Sequence, residues 1–192
     1  MNLAKSIDLL LLLIAIQFLS CNHSFPPKPE GYARIDYPEK AYRLLTEEHY
    51  QFEIPVYSSV EPDSSPRAQP GWINLVIPAL NAKIHLSYKQ VNGNLDEYIT
   101  DSRTLVYKHT VKAEGIEETP FIERDRKRYG MVYDLKGNVA SAVQFFVTDS
   151  TTNFLRGSLY FNCVPNRDSL SPVIDFLRED IIHMIETTKW KN

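Results

Sequence analysis

The apolar run from Leu9 to Leu19, broken only by Gln17 and closed by Phe18-Leu19-Ser20-Cys21, takes the first twenty residues out of the fold. Lys5 supplies a positive n-region, and the run has the length of a signal-peptide h-region. It is shorter than the roughly 20 apolar residues that span a bilayer. The small residue before Cys21 suits cleavage by a lipoprotein signal peptidase, so the mature chain is expected to start at Cys21 carrying thioether-linked lipid and palmitate. That places it outside the cytoplasm, in the cell envelope and held to a membrane by its N-terminal lipid. Asn22 follows the cysteine with no acidic cluster behind it, and a periplasm-facing domain is the expectation.

The division expected is residues 1–20 as signal peptide, 21–31 as lipidated cysteine and tether, and 32–192 as one globular domain. Pro26, Pro27 and Pro29 stiffen the tether, which has no hydrophobic period. The formal charge of −3 carries no basic bias that would suit nucleic acid. With Cys21 acylated only Cys163 remains, so no internal disulfide can form. Cys163 follows an apolar run and has no basic neighbour nearer than Arg167, which suits a small buried or half-buried residue better than a nucleophile.

Within the domain, Tyr50, Phe52, Ile54 and Val56 alternate with Gln51, Glu53 and Pro55, a strand with one buried face in which Pro55 favours a sheet edge. The Ser- and Pro-rich stretch Ser58 to Gly71 reads as a loop. Trp72 to Ile77 and Lys83 to Val91 read as strands turning at Asn81, the second with Ile84, Leu86 and Tyr88 on one face and His85, Ser87 and Lys89 on the other. Asn94 and Glu97 have capping-box spacing and open a helix whose buried stripe is Leu95, Tyr98, Ile99, Ser102, Leu105 and Val106. Strand patterns return at Phe121 to Glu123, Tyr129 to Leu135, Val139 to Thr148 and Phe154 to Phe161, with hairpin turns at Lys136 to Asn138 and Asp149 to Asn153. Val139 to Val147 is apolar on both faces except at Ser141 and Gln144, as in a central strand covered on both sides. A last helix is expected from Ser171-Pro172 to about Thr188, burying Val173, Leu177, Ile181, Met184 and Ile185, with Trp190 packing back on the sheet. This order predicts an α+β fold, an antiparallel β-sheet flanked by helices, and it resembles the Mog1/PsbP-type α/β/α sandwich.

No residue spacing specifies a catalyst, a metal or a cofactor. His23, His49, His85, His109 and His183 lie in no zinc motif, and Glu179, His183 and Glu186 on one helix face read as solvated charge rather than a metal site. His109 reads as a half-buried structural histidine. A serine hydrolase would need an activated nucleophile, and neither GxSxG nor SxxK occurs. Ser150 and Ser158 are the nearest candidates, with Asp149 or Asp168 and His109 as partners. Turn chemistry accounts for Asp149, Ser150 and Asn153, while Gly157 within a strand marks a bulge or close packing. Arg124, Arg126, Lys127 and Arg128, interrupted by Asp125, form a solvated hairpin tip and the candidate interaction tip. The Ser58 to Gly71 and Asn162 to Ser169 loops are further candidate surfaces.

Seven ordered strings carry a family resemblance: Gly31-Tyr-Ala-Arg-Ile-Asp-Tyr-Pro-Glu-Lys40, Ile84-His-Leu-Ser-Tyr-Lys89, Asp101-Ser-Arg-Thr-Leu-Val-Tyr-Lys-His109, Phe145-Phe-Val-Thr-Asp-Ser150, Phe154-Leu-Arg-Gly-Ser-Leu-Tyr-Phe-Asn162, Pro165-Asn-Arg-Asp-Ser169 and Glu186-Thr-Thr-Lys-Trp190. Together they resemble the GldD gliding-motility lipoproteins of Bacteroidota over nearly all of the mature chain. The resemblance implies a non-catalytic lipoprotein required for gliding and associated with the type IX secretion apparatus. Its partners would be envelope proteins of those systems. It carries over no active site, and the one residue it assigns a chemical role is the lipidated Cys21. A lipid or glycan carrier, with a cavity between sheet and helix, and a serine-dependent envelope hydrolase are the rival functions.

Overall fold

The computed structural model describes residues 35–191, so the signal segment, Cys21 and the Pro-rich tether lie outside the described residues. The elements are β1 (Tyr42–Thr46), β2 (Tyr50–Pro55), β3 (Ser59–Pro62), β4 (Ile73–Ile77), β5 (Ala82–Gln90), α1 (Leu95–Tyr107), β6 (Ala113–Glu123), β7 (Arg128–Gly137), β8 (Val143–Thr148), β9 (Asn153–Phe161), α2 (Arg167–Thr187) and β10 (Lys189–Trp190). Seven strands form an antiparallel sheet in the order β3-β4-β5-β9-β8-β7-β6, and β1, β2 and β10 form a smaller antiparallel sheet with β2 in the middle. The α+β expectation therefore holds, with an antiparallel sheet flanked by helices.

Alternation along the strands sorts the large sheet into two faces. Leu75, Ile84, Leu86, Phe145, Val147, Leu155 and Leu159 join Phe52 and Ile54 of β2 and Val173, Leu177, Ile181 and Met184 of α2 in one apolar core. Tyr133, Leu135, Phe146 and Phe154 on the other face pack with Val106, Tyr98 and Ile99 of α1. Strand β8 is buried at all of its positions because it has strands on both sides and helices over both faces. Gly157 shows close packing: a Cβ there would fall 2.2 Å from Cε1 of Phe145, its partner across the strands.

Several boundaries differ from the sequence pattern, each for a local reason. Helix α2 starts four residues before Ser171, because Asn166 caps it by accepting a bond from Ser169 N at 3.4 Å, and Pro172 lies inside the helix. The expected capping box at Asn94 does not form: its side-chain oxygen accepts from the Asn92 N–H at 2.9 Å and is committed to the preceding turn. Strand β8 starts at Val143, and Val139 to Ala142 form the connection after Gly137, whose φ of 101° turns the chain. Strand β3 lies inside the stretch read as a loop and pairs with β4 despite Pro62. Pro55 is on a middle strand rather than an edge, but β10 pairs only with Tyr50 and Gln51, so no partner needs the missing Pro55 N–H. Cys163 is exposed, since the chain leaves β9 at Phe161 before reaching it. Leu105, expected in the buried stripe of α1, is 40% exposed.

Candidate functional site

One row of residues crosses the whole large sheet in register: Glu61, Asn74, His85, Ser158, Gln144, Tyr133 and Glu118, one from each strand. Directly opposed residues share a face, so this polar row lies on the α1 side. Its centre is buried. Asn74, Gln144 and Ser158 are at most 4% exposed, yet Asn74 Oδ1, Gln144 Nε2 and Ser158 Oγ have no hydrogen-bond partner. Buried polar atoms normally find partners, which makes three in one row a feature to explain.

Beside this row a cleft of about 520 Å³ opens between α1 and strands β5 and β9. Its floor includes Ser158 and Arg156, its helical wall Tyr98, Asp101, Leu105 and Lys108, and its far side Asp63 and Trp72. Arg156 donates from Nη2 to Gln144 Oε1, and burial lowers its pKa, with Tyr160 and Tyr133 opposing the shift. Of the three described arginines that are not exposed, Arg128 meets Glu123 and Arg178 meets Asp134, whereas Arg156 has no carboxylate. Burial also lowers the His85 pKa, helped by Lys83 and Arg156 against Asp63, so His85 stays neutral at pH 7. Its ring meets Tyr160 edge-on at 5.3 Å. Lys89 stands over the Tyr98 ring with Nζ 4.4 Å from its centre.

The opposite side of the sheet carries a polar cluster that periodicity alone leaves unnoticed. Asp180 is fully buried and accepts from Lys40 Nζ at 2.9 Å, from Tyr42 Oη at 2.9 Å and from Tyr57 Oη. Lys40 also donates to Phe176 O at 2.6 Å and sits over the Phe176 ring. Burial, then the Asp180 carboxylate, pushes the Tyr42 and Tyr57 phenols far above their ordinary range. The signal was present in position: Leu177, Asp180, Ile181 and Met184 fall on one helical stripe, and an acid within it must find donors. His183 is drawn into the same region, with Nε2 2.7 Å from Glu53 and its ring stacked on Tyr42 at 3.7 Å. Glu179 pairs with Lys40 and His183 with Glu53, so these two members of the Glu179, His183 and Glu186 face are held by separate partners. No group of three metal-ligating side chains occurs among the described residues.

The serine candidates separate clearly. Asp149 Oδ1 accepts from the N–H groups of Thr151, Thr152 and Asn153, and Ser150 holds a φ of 67°, so this segment is a built turn. Burial raises the Asp149 pKa, but these donors and Asn153 Nδ2 outweigh it and hold the carboxyl below its ordinary value. Ser158 lines the cleft but has no base bonded to it. His109 lies in the turn after α1 and is partly buried, and Asp168 is exposed at the start of α2.

At the candidate tip, Arg124, Arg126 and Lys127 are exposed on a single 3-10 turn joining β6 to β7. Arg128 departs from the expected solvated tip. It is 1% exposed, pairs with Glu123 and donates from Nη1 to Ile185 O at 3.0 Å, closing the end of α2. The basic surface is therefore three residues, with Ile122 exposed beside them. Lys127 O accepts from Trp190 Nε1 at 3.0 Å, which fixes the tip against β10. Trp190 packs against the apolar core, as expected, although its strand is the edge of the small sheet.

The family model described as gliding motility lipoprotein GldD matches residues 22–190. No curated protein matches the chain. Among solved structures, the solution structure of cyanobacterial PsbP (CyanoP) from Synechocystis sp. PCC 6803 is similar with a TM-score of 0.42 at 11% identity, covering 80% of this chain and 98% of that one.

Proposed function

The chain belongs to the gliding motility lipoprotein GldD family, and from that membership we propose a non-catalytic, lipid-anchored component of the gliding apparatus that also serves type IX secretion. It works by protein contacts, as an assembly or stabilising factor facing the periplasm. The family match over residues 22–190 is the observation that carries this reading. Anchoring at Cys21, after removal of residues 1–20, confines the domain to a thin layer at the membrane. The short Pro-rich tether up to residue 31 raises its effective concentration for partners in the same membrane, so weak contacts suffice. The exposed Arg124, Arg126 and Lys127, next to exposed Ile122, supply a basic surface with an apolar neighbour for an acidic partner.

The test is crosslinking and affinity purification of the tagged protein from membranes, comparing wild type with Cys21→Ser and with the pair Arg124→Glu and Arg126→Glu. Recovery of gliding or type IX components by wild type, weakened in both variants, is the expected result. A wild-type protein that complements a null mutant yet binds none of them overturns the scaffold reading. Arg128 is left unchanged in this test because its burial would confuse lost binding with lost folding.

A further inference from the structure

We propose that the cleft between α1 and strands β5 and β9 binds a small organic oxyanion, a carboxylate or phosphate head on an apolar or aromatic body. Three observations converge on this chemistry, independently of the anchoring role. The first is the set of donors at the floor. Among the described residues Arg156 has no carboxylate partner, and the unpartnered Ser158 Oγ stands beside it on the same face, both lining the cleft. Gln144 Oε1 accepts from Arg156 Nη2 and holds the guanidinium in place, so guanidinium and hydroxyl both offer protons to the cleft. An oxyanion accepts from both, and the bonds to Arg156 are charge-assisted.

The second is shape. A volume of about 520 Å³ falls in the ordinary range of small-molecule sites, roughly 300–1,000 Å³. Phe154, Tyr98, Leu105 and Trp72 give it an apolar wall around the polar floor. The third is charge balance. Arg156, Lys89 and Lys108 line the cleft together with Asp63 and Asp101, while His85 is neutral, which leaves a positive balance for one anionic head group and disfavours polyanions. Ser158 is then a positioning donor rather than a nucleophile, in agreement with its lack of a base.

The proposal is tested by isothermal titration of the full-length protein in non-ionic detergent with benzoate, phenyl phosphate, benzyl alcohol and benzyltrimethylammonium. Saturable binding of benzoate or phenyl phosphate, with benzyl alcohol and the cation much weaker, is expected, and the preferred anion identifies the head group. Arg156→Met should weaken that binding about tenfold or more, with Arg156→Lys retaining part of it. Leu105→Trp, on the exposed wall and away from the donors, should block the cleft without loss of fold by circular dichroism. The proposal is overturned if neither anion binds saturably, if benzyl alcohol binds as well as benzoate, or if folded Arg156→Met and Leu105→Trp bind the anions like wild type.

Discussion

On the α2 side of the large sheet a fully buried acid, Asp180, meets three donors within an apolar core, whereas on the α1 side a half-buried base, Arg156, meets one amide beside a hydroxyl with no partner. Asp180 belongs to the helix over one face of the large sheet, and Arg156 to a strand within it. The difference shows where the molecule closes its surface for stability and where it keeps polar groups in reserve. Full pairing fixes the position of β1 and the segment before it on the helix, while incomplete pairing next to a cleft leaves donors for something else.

Breaking the closed side should have the largest effect. Asp180→Ala takes the acceptor from two phenols and leaves Lys40 only Glu179 and Phe176 O, and urea unfolding should show a loss of about 3–5 kcal/mol; a loss under about 1 kcal/mol would refute the closed character of this face. Leu177→Ala, under the same helix, should cost about 2–5 kcal/mol by the same measurement. Ser158→Ala should change stability by less than about 0.5 kcal/mol or raise it, because the hydroxyl makes no bond to lose. A loss similar to that of Leu177→Ala would mean that the open side depends on its polar row for folding.

The mildest test is pH. Burial lowers the folded-state pKa of His85 and His109 below the ordinary 6.5, so the unfolded chain binds more protons as pH falls through that value. Their contribution is present at neutral pH and is lost progressively below about 6.5. The urea midpoint should fall between pH 7 and pH 5.5, and His85→Gln should flatten part of that slope. Asp149, held below 3.8, contributes above that value and loses its contribution only in stronger acid, so the two windows separate.

Period-2 alternation made most of the large sheet legible, because a strand with one wet face and one dry face writes its pattern directly into Ile84, Leu86 and Tyr88 against His85, Ser87 and Lys89. Strand β3 escaped because Ser and Pro dominate it and pairing with β4, not propensity, makes it a strand. Arg128 could not be told from Arg124 and Arg126 by residue type. What buries it is the carbonyl of Ile185, some 57 residues further along the chain. The polar row had the same difficulty: His85, Ser158 and Gln144 were each visible, but their alignment depends on two strand registers. Ser171 misled the helix start because Asn166 is an equally good cap and is reached first.

The path of the chain after residue 35 has a mechanical meaning. The Tyr37 ring lies tilted against Phe176 with centres 4.6 Å apart, Lys40 is held by Asp180, and Tyr42 lies between Asp180 and His183, so the segment runs along α2 for more than a turn before β1 pairs with β2. Tension arriving from the N-terminal side therefore reaches the helix through an ion pair and two ring contacts before it can pull on any strand ladder. The domain is gripped along its helix, and a tug is spread over several contacts at once instead of peeling β1 away one hydrogen bond at a time.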